Sequence, residues 1–184
     1  MNVKSGKTLV LVGLGGKLVI AVFSLLLRLV VNLYVGSVIN MLQLPLTLVI
    51  VAGFVMAFLA DRNIMDLIIA GGFGVSALTS LISVVTSAAG SSLPAMITLA
   101  LSFIGTVGLF VWAFKLYRDS NTLAALAVVG SYIVSFGVSF LLTLFTGFAE
   151  PSFITSPIYI LISGAGSIVS AAALAYAAFM DWQE

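Results

Sequence analysis

Lys17, Ser24, Arg28 and Asn32 follow one another at steps of seven, four and four residues, which puts all four on one stripe of a helix. They sit in GGKLVIAVFSLLLRLVVN, residues 15–32, a segment apolar enough to enter a bilayer and yet bearing two cations. A cation in a low-dielectric interior does one of two kinds of chemistry: it holds an anion, or it pairs with an acid. Taking Lys17 as the cytoplasmic boundary of the first span, Arg28 lies eleven residues, or about 16 Å, deeper. That depth is close to the centre of a hydrocarbon core roughly 30 Å thick. An arginine there costs about 2.5 to 3.5 kcal/mol on insertion scales, so the stripe is expected to face the bundle, a water-filled cavity or another subunit. No acid of the chain is predicted at matching depth: Glu150 falls in an outer loop, and Asp61, Asp66 and Asp119 read as solvated helix ends. The bland alternative is that Arg28 snorkels to an interface or is capped by helix carbonyls and Asn32.

Hydroxyls form two further stripes. Ser76, Ser80, Ser83 and Ser87, with Thr79 and Thr86 beside them, recur at steps of three and four in the third apolar run. Ser131, Ser135, Ser139 and Thr143 recur at strict steps of four in the fifth. Such stripes line polar paths, but they also let lipid-embedded helices approach and hydrogen-bond, at about 0.6 to 2 kcal/mol per bond. Packing is the preferred reading. In the last run, SGAGSIVSAAALAYAA sets Ser163, Ser167, Ala171 and Ala175 in a small-xxx-small ladder that is expected to touch another helix. Glycines 71, 72 and 74 in the third run and 130 and 137 in the fifth permit close contact or a local break of the helix.

Catalytic parts are missing. The sequence has no cysteine and no histidine, which removes disulfides, thiol and imidazole chemistry and the usual zinc, haem and iron–sulfur ligand sets. VGLGGKL, residues 12–18, lacks the glycine spacing and the Ser or Thr of a phosphate-binding loop. Asp61 and Asp66 are five residues apart and so do not share a helical face, and no serine stands beside a recognisable base. The chain is expected to be no enzyme and to need no cofactor or metal.

The elements that must position these residues follow from composition. Of the 184 residues, 62% are hydrophobic and 7% charged, with a mean hydropathy of +1.30. A soluble domain carries roughly a quarter of its residues charged, so the solvent here is lipid. Apolar runs at about 18–40, 44–60, 64–87, 93–117, 121–146 and 155–180 each approach the roughly 20 residues a spanning helix needs. Their continuity excludes alternating β-barrel strands. The expectation is an all-α polytopic bundle of about six transmembrane helices, a single domain over 1–184, with short breaks that force antiparallel neighbours. Pro45, Pro94 and Pro157 are expected near helix starts.

Lys and Arg flanking the spans stay on the cytoplasmic side. Six spans with both termini inside place Lys4, Lys7, Lys17, Arg62, Lys115 and Arg118 there, with Glu150 outside; the N-terminus reads as retained. FVMAF at 54–58 and FVWAF at 110–114 lie 56 residues apart, as do Arg62 and Arg118. This is either a chance match or a two-helix hairpin used three times in tandem. The net charge of +1 gives no reason to expect nucleic-acid binding. The preferred function is a non-catalytic integral-membrane subunit or assembly protein of the cell membrane, with lipid and other membrane subunits or further copies as partners; the alternative is a small uncoupled transporter or channel for an anionic solute. The missing intramembrane acid argues against proton or sodium coupling.

Overall fold

In a computed structural model, which describes residues 3–31, 36–88, 95–148 and 157–183, the chain forms six helices. They are α1 (Val3–Val31), α2 (Gly36–Asp61), α3 (Ile64–Ala88), α4 (Ala95–Arg118), α5 (Thr122–Phe148) and α6 (Pro157–Gln183). All six contain segments long and apolar enough to cross a membrane. Asn32, Pro94 and Glu150 lie outside the described residues.

Consecutive helices pack side by side, and α6 returns to α1, so the six close into a ring. The seam between the chain's two ends is bonded. Lys7 Nζ sits 3.0 Å from Asp181 Oδ1 and donates to the Asp181 carbonyl at 2.6 Å. Trp182 Nε1 donates to Thr8 Oγ1 at 3.1 Å, with the Lys4 ammonium 5.2 Å above its ring. Both described ends of the chain therefore lie at one end of the ring.

That end is filled. Val10 and Leu14 of α1, Ile50 and Phe54 of α2, Ile69 and Phe73 of α3, Trp112 and Leu116 of α4, Ala124 and Val128 of α5 and Ala177 of α6 form one buried cluster. At its centre, Trp112 meets Phe54 and Phe73 edge to face, with ring centroids 5.6 and 6.3 Å away. Glycine brings the backbones together around it. A Cβ on Gly6 would stand 2.6 Å from the Gly53 carbonyl, and one on Gly72 would stand 2.7 Å from Gly108 Cα. Of the α3 and α5 glycines singled out above, Gly72 alone meets a neighbouring helix; Gly71, Gly74, Gly130 and Gly137 face open space, and α3 runs unbroken.

Three expectations need correction. First, α1 begins fifteen residues before the predicted 18, because VKSGKTLVLVGLGG is helical rather than a polar lead: its Gly6, Gly13 and Gly16 are contact positions against α2. Second, Pro45 lies inside α2, not at its start, and its ring is exposed. Third, the echo at 56 residues does not mark equivalent positions. Phe54 is 2% exposed, whereas Phe110 is 48% exposed. The geometric equivalence falls at 58 residues. Arg62 and Ser120 both take left-handed backbone (φ 58° and 68°), each preceded by Asp and followed by a helix-capping Asn. Asn63 Oδ1 accepts from Met65 N, and Asn121 Oδ1 from Ala124 N. In that register Phe54 matches Trp112, which it touches. The similar hairpins are thus α2–α3 and α4–α5, with α6 and α1 meeting where a third turn would be.

The turns and both described chain ends share one end of the ring. Single cysteines replacing Lys4, Arg62 and Ser120 in separate variants are therefore expected to react with an impermeant thiol reagent from the same side of a vesicle. Labelling of any one from the opposite side would contradict the ring.

Candidate functional site

On α1, Lys17 is the middle residue, fourteen positions from either end, and Arg28 lies in the last turn. Centring a core of about 30 Å on this helix puts Lys17 at mid-depth and Arg28 at the boundary away from the filled end. On that centring Lys17 is the deep cation and Arg28 the one near an interface, the reverse of the depths read from the sequence. The difference comes from the start of α1, which shifts every depth counted along it.

Lys17, Ser24 and Arg28 lie on the face of α1 that carries buried Val10 and Leu14 and are half-buried, whereas Val12, Val19, Phe23, Leu26 and Val30 on the opposite face are exposed. The stripe therefore faces the inside of the ring. Gly16 presses against the Leu46 side chain, so Lys17 stands within a turn of Leu46 on α2. Near that level, α2 carries half-buried Gln43 and buried Thr47, whose hydroxyl donates to the Gln43 carbonyl at 2.8 Å. Among the described residues, Lys17 makes no hydrogen bond or ion pair.

The hydroxyl stripes divide. On α5, Ser131 is buried and donates to the Val128 carbonyl at 2.7 Å. Ser135 and Ser139 lie on the same inward face as buried Val128, yet both are exposed. Ser135 donates to Ser170 Oγ of α6 at 2.8 Å, and Ser170 donates to the Ser131 carbonyl at 3.2 Å. Packing and exposure thus coexist on one stripe. On α3, the Ser76 and Ser80 hydroxyls bond back to carbonyls of their own helix, at 3.1 and 3.0 Å; Ser83 lies further along the helix, and Thr143 further along α5.

The α6 ladder turns with the helix. Ser163 and Ser167 share the face of buried Ala177 and Ala178, with Ser167 exposed, while Ala171 and Ala175 are half-buried. Close contact is made by glycines instead: Gly164 against Leu25 of α1 and Gly166 against Val138 of α5.

On the inward face of α5, buried Val128 and Ser131 thus give way to exposed Ser135 and Ser139, with Leu142 buried again beyond them. The ring is filled beside the chain ends, and the α1 stripe carries Lys17 midway along the helix and Arg28 about 16 Å further on.

Sequence reasoning missed the most buried charge. Asp66, read as a solvated helix end, is 0% exposed. It enters the ring from the first turn of α3, and its Oδ1 accepts from Lys115 Nζ at 2.6 Å, a lysine itself 6% exposed. Asp66 Oδ2 and Trp112 Nε1 are buried with no hydrogen-bond partner. The signal was present in the spacing: Asp66 falls three and seven residues before Ile69 and Phe73, on one helical face with them. A buried acid also removes the sequence argument against coupling. Among the described residues, no group of three or more His, Cys, Asp or Glu is placed to hold a metal.

The fold defines a multi-pass helical membrane protein. Comparison with protein-family models, curated proteins and solved structures finds no match for the chain.

Proposed function

We propose that the protein binds an anionic solute inside its ring and passes it across the membrane as a small transporter or channel. The observation that carries this reading is the inward stripe of Lys17, Ser24 and Arg28, with an unpaired ammonium at mid-depth. A lysine at mid-depth costs about 2.5 to 3.5 kcal/mol on insertion scales, and an anion or water in the interior offsets that cost. Half-buried Gln43 of α2 supplies a further amide donor near the level of Lys17. The alternative, a non-catalytic subunit of a membrane complex, drew on Arg28 as half of an ion pair with a partner. Its inward position gives that reading less support.

Five of the seven cations, Lys4, Lys7, Arg62, Lys115 and Arg118, gather at the closed end with the chain ends. That asymmetry supports a cytoplasmic location for this end in a cell membrane, with the opposite end of the ring facing outward.

Thermal unfolding of the protein in nanodiscs tests the binding site. Sulfate and chloride are expected to raise the midpoint in a saturable way, and a non-coordinating organic anion too large for the ring is not. Lys17→Met removes a charge-assisted contact worth about 1.5 to 3 kcal/mol, so apparent affinity falls tenfold or more. Equal responses of wild type and Lys17→Met would sink the reading.

A further inference from the structure

We propose that Asp66 is a proton-binding site, and that the transport proposed above is driven or gated by protonation of its free carboxylate oxygen. The inference rests on the anion reading for its second half only.

The site is built from four helices around one acid. Lys115 of α4 occupies Oδ1 at 2.6 Å, while Oδ2 is buried and accepts nothing. Asp61 at the end of α2 and Asp181 of α6 act on Asp66 electrostatically, and Asp181 is itself paired with Lys7 of α1. A metal ion is a poor occupant. Lys115 already holds one of the two Asp66 oxygens, and hard cations take six or more oxygen ligands, whereas no three acidic groups are clustered for one. A proton needs a single lone pair, which Oδ2 has. The step balances simply: the Asp66 carboxylate and one proton give the carboxylic acid, with Lys115 remaining an ammonium and no other bond changed.

The position links this acid to the anion path. Asp66 lies beneath Ile69 and Phe73 on α3, and Phe73 packs against Phe54 and Trp112, the rings that close the interior. Asp61 lies on the exposed rim of the closed end, where its Oδ1 accepts from Asn63 N at 3.0 Å. Neutralising Asp66 weakens its hold on Lys115, three residues beyond Trp112 on the same helix. Loss of that tie is a means of moving the closing rings.

Infrared difference spectroscopy of the full chain in nanodiscs, with ¹³C-labelled aspartate, reads the proton directly. Acidification is expected to produce one isotope-shifted carboxylic-acid carbonyl band, and Asp66→Asn to abolish it. Should Asp66→Asn fail to fold, Asp61→Asn, Asp119→Asn and Asp181→Asn assign the band by subtraction: survival in all three supports Asp66, and loss in any one overturns it. In liposomes, Asp66→Asn is expected to abolish anion uptake driven by a pH gradient while leaving anion exchange without a gradient intact. A band lost in Asp66→Asn without any anion binding by the wild type keeps the proton site and defeats the anion reading. Absence of a band in the wild type, or pH-driven uptake equal in Asp66→Asn, overturns the proton site and leaves the anion reading standing.

Discussion

Replacing Lys115 by methionine is expected to destabilise the folded protein by about 3 to 5 kcal/mol, while the pair of replacements Lys115→Met and Asp66→Leu recovers most of that loss. Asp66 is fully buried and takes its one hydrogen bond from Lys115, so methionine leaves a carboxylate in an apolar cluster beside Trp112 with nothing to offset its desolvation. The double variant removes both charges and fills the space with apolar atoms. Reversible unfolding in mixed micelles, run as a double-mutant cycle, measures the coupling. Additive losses would show that the two charges do not depend on each other.

The second large effect belongs to Gly72. Leucine there places a Cβ 2.7 Å from Gly108 Cα and 3.1 Å from the Gly105 carbonyl, and backbone cannot yield as a side-chain end can. The α3 and α4 helices must separate, breaking the contact of Phe73 with Trp112 along the same seam. The expected loss is about 3 kcal/mol, at the upper end for overpacking. Gly71→Leu is the matched control: a Cβ there meets nothing within 4 Å, and little change in unfolding is expected. Equal losses in the two variants would contradict the packing described for α3 against α4.

The helical count and the antiparallel order were legible because each span is a long apolar run closed by a short polar break. The start of α1 was not. Lys4, Lys7 and Thr8 resemble a solvated lead by type, and their partners Asp181 and Trp182 are far away in sequence. That one boundary exchanged the depths of Lys17 and Arg28. The stripe itself survived, since periodicity depends on relative spacing and not on where a helix begins. Asp66 was hidden for a different reason: a charge near a helix end reads as solvated unless the partner that buries it, here 49 residues away, is known. Similarly, the echo at 56 residues matched letters, whereas the hairpins agree at 58, where left-handed Arg62 and Ser120 share a backbone shape without sharing a side chain.

The central claim is that the inward cations hold an anion on its way through the ring. Flux through purified protein in liposomes, comparing chloride with potassium, tests it most directly. The account expects chloride to move in preference to potassium, with Lys17→Met and Arg28→Leu together cutting that flux tenfold or more in protein that remains folded. Chloride flux unchanged in the double variant, or no anion flux beside a stoichiometric membrane partner that is lost on Arg28→Leu, would contradict it.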